Sequence, residues 1–494
     1  MLGIFLQSAH VPQKVIEMLA HMGLSVSISS FNAGIQSLSQ ESSHAMKALG
    51  RSMLASYAYD NFDVDLKTSD QRVEKSNDSL KHLTSGILFP LQHGTTVEHL
   101  CCSRMLWEQS IYNIQTGELM ARRAGKTYRD LLGLHQTGVH LDGTSYRMRY
   151  NTWKMLSDLV EHGPEYFRRF RDMLGEPEEV EMIPVVKVPI IAAKSMEYVN
   201  STVSGNIESI IGLLAQAGIK DPTETHDQNT PDISEYVVPF HGDLGTGERI
   251  QALLQRRAME NSPWRRCQYV VFVPGLFHLK MAAADAIWRA FIYPVAARGD
   301  DTSLLHDVGI LRPTEISHYQ SKPGFRRMHQ LITYSGICRR LNCWLELLKT
   351  KDPRIQSLET FAATEPTFTQ LKELAGILAQ DFVETRTIVR TRRKPSGQRD
   401  MQYENALILN KYLLLYEELT HAMNSGDIGR TETCIVAWIL VFKATGKHKY
   451  ANHMTDFLMN LHFVYPEGLR YAYCYNITEL LMSTNPDMPS ITQS

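Results

Sequence analysis

Met53-Leu54-Ala55-Ser56-Tyr57-Ala58-Tyr59-Asp60-Asn61 and Tyr236-Val237-Val238-Pro239-Phe240-His241-Gly242-Asp243 are the two stretches on which the fold of this chain turns. Each is an apolar, strand-like run that leads to a carboxylate, Asp60 in the first and Asp243 in the second. In an open α/β sheet, ligands bind in the crevice at the carboxyl ends of the strands. Two carboxylates there could hold Mg²⁺, a hard cation that takes oxygen ligands and keeps positions open for phosphate. That ligand set belongs to metal-assisted phosphodiester chemistry. Asp63 and Asp65 lie at alternate positions beyond Asp60, which is preferred because it directly follows the apolar run.

Both acids also have a plain structural explanation. Asp-Asn pairs often begin turns, because their side chains bond the local backbone. The segment Gly242-Asp243-Leu244-Gly245-Thr246-Gly247-Glu248-Arg249 reads as a glycine-rich strand-to-helix turn with Thr246 as helix N-cap. It matches neither a dinucleotide fingerprint nor a phosphate-binding loop, since no Gly-Lys-Ser/Thr follows.

Working outward, Tyr269-Val270-Val271-Phe272-Val273 predicts another strand, followed by Pro274-Gly275-Leu276-Phe277-His278. His278 would then stand near the sheet edge, able to orient a nucleophile or contact phosphate. Arg256, Arg257, Arg265 and Arg266 lie between Asp243 and His278, and guanidinium groups grip phosphate in bidentate fashion. A second basic stretch, residues 386–399, carries Arg392 and Arg393 and reads as an exposed loop around Pro395-Ser396-Gly397. The alternative for each arginine is a solvated face.

The strand–helix–strand succession around Asp243 predicts an α/β core over residues 51–300, with a helical insertion at about 96–180. A helical segment at residues 1–50 precedes it and a helical region at residues 301–494 follows. A run at residues 185–191 reads as an edge strand because of Pro189. Gly426 is expected to end one helix and Asp427 to cap the next, with Asp427, Glu418 and Glu432 as weaker candidates for a third acid.

With 51 Lys and Arg against 53 Asp and Glu, the chain has a formal net charge of −2. Bulk charge therefore supplies no attraction to nucleic acid, and any DNA contact must come from local patches. Seven cysteines, an odd number without paired metal-ligand spacing, point to an intracellular protein, nuclear or cytoplasmic, and away from structural zinc. The apolar start lacks the basic region of a signal peptide. The longest apolar run, residues 434–442, is far short of the ~20 residues a membrane span needs. No small-molecule cofactor is expected, and oligomeric state is not legible.

Several segments in order resemble the domain of unknown function 6589 of mushroom-forming fungi. They are Tyr59-Asp60-Asn61-Phe62-Asp63, His82-Leu83-Thr84-Ser85-Gly86, Gly242-Asp243-Leu244-Gly245-Thr246, Gly275-Leu276-Phe277-His278, Phe325-Arg326-Arg327-Met328-His329 and Gly426-Asp427-Ile428-Gly429-Arg430. The pattern is also similar to cut-and-paste transposases with a ribonuclease-H-like core, interrupted by a helical insertion before a final glutamate. The resemblance implies an α/β core of that type with a large helical part, Mg²⁺ held by Asp60 and Asp243, and DNA as partner. The chain departs from the family pattern after Tyr473, and its start resembles the interior of that pattern. A truncated or domesticated relic that binds nucleic acid or protein without catalysis is therefore the alternative expectation.

Overall fold

A computed structural model describes residues 2–9, 11–65, 80–113, 125–135, 143–199, 201–224 and 231–477. Along the chain, the longer helix α1 (Ile28–Arg51) leads into strands β1 (Ala55–Asp65) and β2 (Leu80–Pro90). Helix α2 (Tyr146–His162), the short strand β3 (Ile191–Ala192) and helix α3 (Val203–Gln216) come next. Strand β4 (Val238–Gly242), helix α4 (Leu244–Arg257) and strand β5 (Val270–Pro274) complete the sheet. Beyond it the described residues are helical. The long elements there are α5 (Leu276–Phe291), α6 (Phe325–Lys351), α7 (Met401–Ser425), α8 (Ile428–Ala444), α9 (His448–Phe463) and α10 (Glu467–Tyr475). No described helix is long and apolar enough to cross a membrane.

The chain divides into two compact units, and neither is continuous in sequence. The first comprises Met1–Arg122, Val186–Pro274 and Tyr465–Ser494; the second comprises Arg123–Val185 and Gly275–Val464.

The first unit holds one mixed sheet of five strands in the order β3-β2-β1-β4-β5. Strand β2 runs antiparallel to both neighbours, while β1, β4 and β5 are mutually parallel. The three strands expected from the apolar runs thus lie side by side. Tyr57 pairs with Phe240 across β1 and β4, and their rings stack at 5.1 Å. Tyr59 points to the same face, where its hydroxyl donates to Asn206 Oδ1 of α3 at 2.9 Å. Ile210 and Leu213 of α3, and Ile250 and Leu253 of α4, close that face into a buried core. Helix α4 sits tightly on the sheet. A Cβ at Gly247 would stand 2.6 Å from the Phe272 ring.

Three boundaries differ from the sequence reading. β1 does not end at Asp60 but continues to Asp65, paired residue for residue with β2 down to Leu80. Backbone pairing carries this polar half of the strand, where side-chain burial is not required. Of the 185–191 run only Ile191 pairs at the sheet edge, together with the following Ala192, and Pro189 has no N–H to donate. The basic stretch expected as a loop begins instead as a helix, Thr385–Arg392.

The second unit packs α2, α6 and the helix Phe368–Phe382 around Leu159, Trp344 and Leu378. Two arginines are fully buried there, Arg340 and Arg430. Arg340 pairs with Asp158 and, at 2.8 Å, with Glu417. Arg430 pairs with Glu418 at 3.2 Å and Asp427 at 3.3 Å. Desolvating each ion costs several kcal/mol, which only such complete pairing offsets.

Replacing Gly247 by Ala tests the helix–sheet contact. Alanine favours a helix by about 1 kcal/mol, but overpacking costs about 1–3 kcal/mol. Gly247→Ala should therefore lower the urea midpoint, and Phe272→Leu in the same chain should restore part of it. A stabilised Gly247→Ala protein would show that the contact is loose.

Candidate metal centre at the end of the central strands

The parallel register of β1 and β4 covers Tyr57↔Phe240 and Ala58↔His241; Asp60 lies two residues further along β1, and Asp243 directly follows β4. Adjacent strands lie ~4.8 Å apart. Asp60 shares the second face of the sheet with Ser56 and Ala58, because side chains alternate along a strand. That face runs from a closed floor to an open rim: Ser56 is buried, Ala58 half-buried and Asp60 exposed.

Asp243 follows the last residue of β4 and is itself the N-cap of α4. Its Oδ1 accepts from the Thr246 backbone N–H at 2.7 Å. The cap is thus the aspartate and not Thr246, which is buried beneath the turn. Asp60 Oδ1 accepts from the Asn61 N–H at 2.8 Å. Each carboxylate keeps its second oxygen, Oδ2, for another partner, and an oxygen-only donor set suits a hard cation such as Mg²⁺. Asp63 is drawn off to His82 at 2.7 Å.

Under the rim, the sequence reading missed His241. Its Nε2 lies 3.3 Å from Ser56 Oγ, and Phe89 packs edge-on at 5.0 Å. Burial pushes its pKa down to about 3. The signal was present, since His241 lies in the same β4 segment, two residues before Asp243.

His278 sits in the first turn of α5, half-buried, with its ring 6.1 Å from that of Phe277; it belongs to the helical unit, not to the unit of the two aspartates. Of the arginines, Arg256 and Arg265 are exposed. Arg257 is paired with Glu260 at 3.2 Å. Arg266 donates to Gln268 at 2.9 Å and to the Glu260 carbonyl at 3.1 Å, and lies 4.8 Å over the Trp107 ring. Arg392 is exposed, with Glu404 at 3.9 Å, and Arg393 is exposed beside it.

The weaker third-acid candidates are consumed within the second unit. Asp427 caps α8 and accepts from the backbone of Val180, Glu181 and Arg430 as well as from the Arg430 side chain. Glu418 is held by Arg147 and Arg430. Among the described residues, the group of three ligating side chains within 4.8 Å of one another is His135, Glu432 and His462; Asp60 and Asp243 belong to no such group.

A family model described as "Family of unknown function (DUF6589)" matches residues 125–478. Comparison with curated proteins and with solved structures gives no match.

The half-buried His241 predicts acid sensitivity. Its folded pKa lies below the ordinary 6.5, so as pH falls the unfolded chain takes up the proton first. Stability is full above pH 6.5 and is lost as pH drops toward 3, by about 2 kcal/mol at pH 5. Urea unfolding at pH 7.5 and pH 5 should show this loss in the wild type and less of it in His241→Asn. An equal loss in both proteins would remove His241 as its source.

Proposed function

The chain belongs to DUF6589, a family of unknown function, and on that footing we propose that its first unit is an interrupted ribonuclease-H-like core for metal-dependent phosphodiester chemistry on DNA. One observation supports the reading: β1 and β4 pair in parallel up to Ala58↔His241, with Asp60 two residues further along β1 and Asp243 directly after β4. The wider arrangement supports it. Three antiparallel strands precede two parallel ones joined through α3 and α4, in the order β3-β2-β1-β4-β5. The helical unit takes Arg123–Val185 between β2 and β3 and Gly275–Val464 after β5, and the chain returns to the first unit at Tyr465. We read that order as a ribonuclease-H-like core with a helical part inserted.

Glu467 stands exposed in the first turn of α10, the first acid after the return. It occupies the chain position of the final glutamate in the resembling transposases. Helix α10 is tied into the first unit. The Tyr473 hydroxyl donates to the Phe272 carbonyl at 2.9 Å, and Tyr471 donates to the His93 carbonyl at 2.6 Å.

Mg²⁺ bound by the two aspartates would polarise a phosphodiester and favour in-line attack by water or a 3′-hydroxyl. The residues themselves bind and orient. Asp243 is fixed by its cap bond, Asp60 supplies the exposed oxygen, and Arg256 and Arg265 are exposed cations that would meet phosphate. In the second unit Arg392 and Arg393 are exposed in the same sense. Arg257 and Arg266 serve local structure.

A second reading has its own support. Each aspartate already spends one oxygen on a neighbouring N–H, as turn and cap aspartates do, which fits a fold retained without catalysis.

Metal titration separates the two. Mn²⁺ or Mg²⁺ should raise the Tm of the wild type and not of Asp60→Asn or Asp243→Asn, because only the native state presents both carboxylates. Glu467→Gln should weaken the shift. Equal shifts in all four proteins would mean that the ion binds elsewhere and would leave the non-catalytic reading.

DNA binding gives a separate check. Fluorescence anisotropy against salt should yield a log–log slope of about −0.9 per neutralised phosphate on duplex DNA. Arg256→Gln with Arg265→Gln should flatten that slope for any DNA sequence, and Arg257→Gln should not. No binding at low salt to duplex or single strands would remove DNA as partner.

A further inference from the structure

We propose that His135, Glu432 and His462 form a binding site for a transition-metal cation of the Zn²⁺ type, in the second unit and independent of the aspartate pair. Helices α8 and α9 form an antiparallel hairpin through residues 445–447. Glu432 lies near the start of α8 and His462 near the end of α9, so both face each other at the same end of the hairpin. His135 arrives from the turn after the short helix Tyr128–Leu131. That segment is fastened to both arms of the hairpin. The Tyr128 hydroxyl donates to the Val436 carbonyl, one turn beyond Glu432, at 2.7 Å. Lys126 lies 5.2 Å over the ring of Phe463, next to His462.

The three side chains converge on one oxygen. His135 Nε2 is 2.6 Å and His462 Nε2 2.8 Å from Glu432 Oε2, and the three ligand atoms lie within 4.8 Å of one another. The imidazole rings stand nearly perpendicular, 6.1 Å apart at 83°. Glu432 is 0% exposed, His462 8% and His135 15%, so the site is closed on the helix side and open at His135. His135 also holds a left-handed backbone, φ 54°, a conformation that costs energy in a non-glycine residue and clusters at ligand clamps.

Two imidazole nitrogens and one carboxylate oxygen are the donors of a zinc-type ion, whereas Mg²⁺ and Ca²⁺ take oxygen. Zn–N and Zn–O bonds of about 2.0–2.1 Å in tetrahedral geometry place neighbouring ligand atoms ~3.3 Å apart. The present contacts would open by roughly half an ångström to admit the ion, a small side-chain rotation. In the metal-free chain, Nε2–H protons occupy the place of the metal and bond Oε2. Bound metal would clamp the 125–135 segment to the α8–α9 hairpin, joining residues almost three hundred positions apart.

The test uses the whole chain. After exposure to Zn²⁺ and dialysis, metal analysis should find about one equivalent per chain, and Zn²⁺ should raise the Tm reversibly by chelation. Co²⁺ in place of Zn²⁺ should give the intense visible band of a low-coordinate site. His135→Ala, a change in a turn, and His462→Ala should each abolish the band and the Tm shift, while an excess of Mg²⁺ should not compete. Background metal in the wild type, a pale octahedral Co²⁺ spectrum, or retention of metal by both variants would overturn the proposal and leave a hydrogen-bonded His–Glu–His cluster. The wild-type readings decide even if one variant fails to fold.

Discussion

The parallel contact between β1 and β4 is the constraint on which the first unit depends. It rests on two registered pairs, Tyr57↔Phe240 and Ala58↔His241, yet it joins strands separated by β2, β3, α3 and a segment that belongs to the other unit. Closing so long a loop costs only slowly more as the loop grows. What the pairing needs is a reason to choose one register. The Tyr57–Phe240 stack provides it. A slip of one residue would turn Tyr57 and Tyr59 out of the core and bring Ser56, Ala58 and Asp60 into it.

The helical unit reaches its specificity by other means. Arg340 and Arg430 are buried among helices and fully paired, which costs more than an apolar filling would. Such pairs are exacting about geometry. Arg430 must meet Asp427, which caps α8 and also holds the backbone of Val180 and Glu181. The extended chain at residues 180–183 is thereby locked against the α7–α8 turn, where Ile183 N–H donates to the Gly426 carbonyl at 2.9 Å. Gly426 makes that turn possible with φ 80°, the left-handed conformation glycine adopts without penalty.

Much of this was legible in the sequence, and the remainder was hidden for identifiable reasons. The apolar runs before Asp60 and Asp243 and at residues 269–273 became neighbouring strands, and Gly426 with Asp427 became a helix end and a cap. The far half of β1 was invisible, because Asn61, Asp63 and Asp65 are polar residues on an exposed ribbon whose pairing with β2 shows no apolar signal. The capping role of Asp243 was assigned to Thr246, since both types cap and only the position of the first helical residue separates them. Buried Arg340 breaks the apolar stripe of α6 and blurs its helical period. The boundary between units at Pro274 and Gly275 carries no change of composition, and His135, Glu432 and His462 are spaced like no ligand motif. Only the hairpin of α8 and α9 makes neighbours of the last two.

The two aspartates at the rim are not equivalent, and the difference bears on what a cation would meet there. Asp243 is pinned by its bond to Thr246 and lies at the positive end of the α4 dipole, which stabilises its charge before any metal arrives. Stabilisation from that source weakens the need for a cation while fixing the direction of the free oxygen. Asp60 is exposed, has no helix terminus beside it and holds only its neighbour's N–H. An ion binding the pair would therefore find one preset ligand and one that must be ordered on arrival, at the entropic cost of a side chain. On the proposed function, a third oxygen from Glu467, also exposed on a first helical turn, would leave most of the ordering cost on the acids nearest solvent. Affinity at such a rim then depends on phosphate completing the coordination, so that metal and nucleic acid are expected to bind together more tightly than either binds alone.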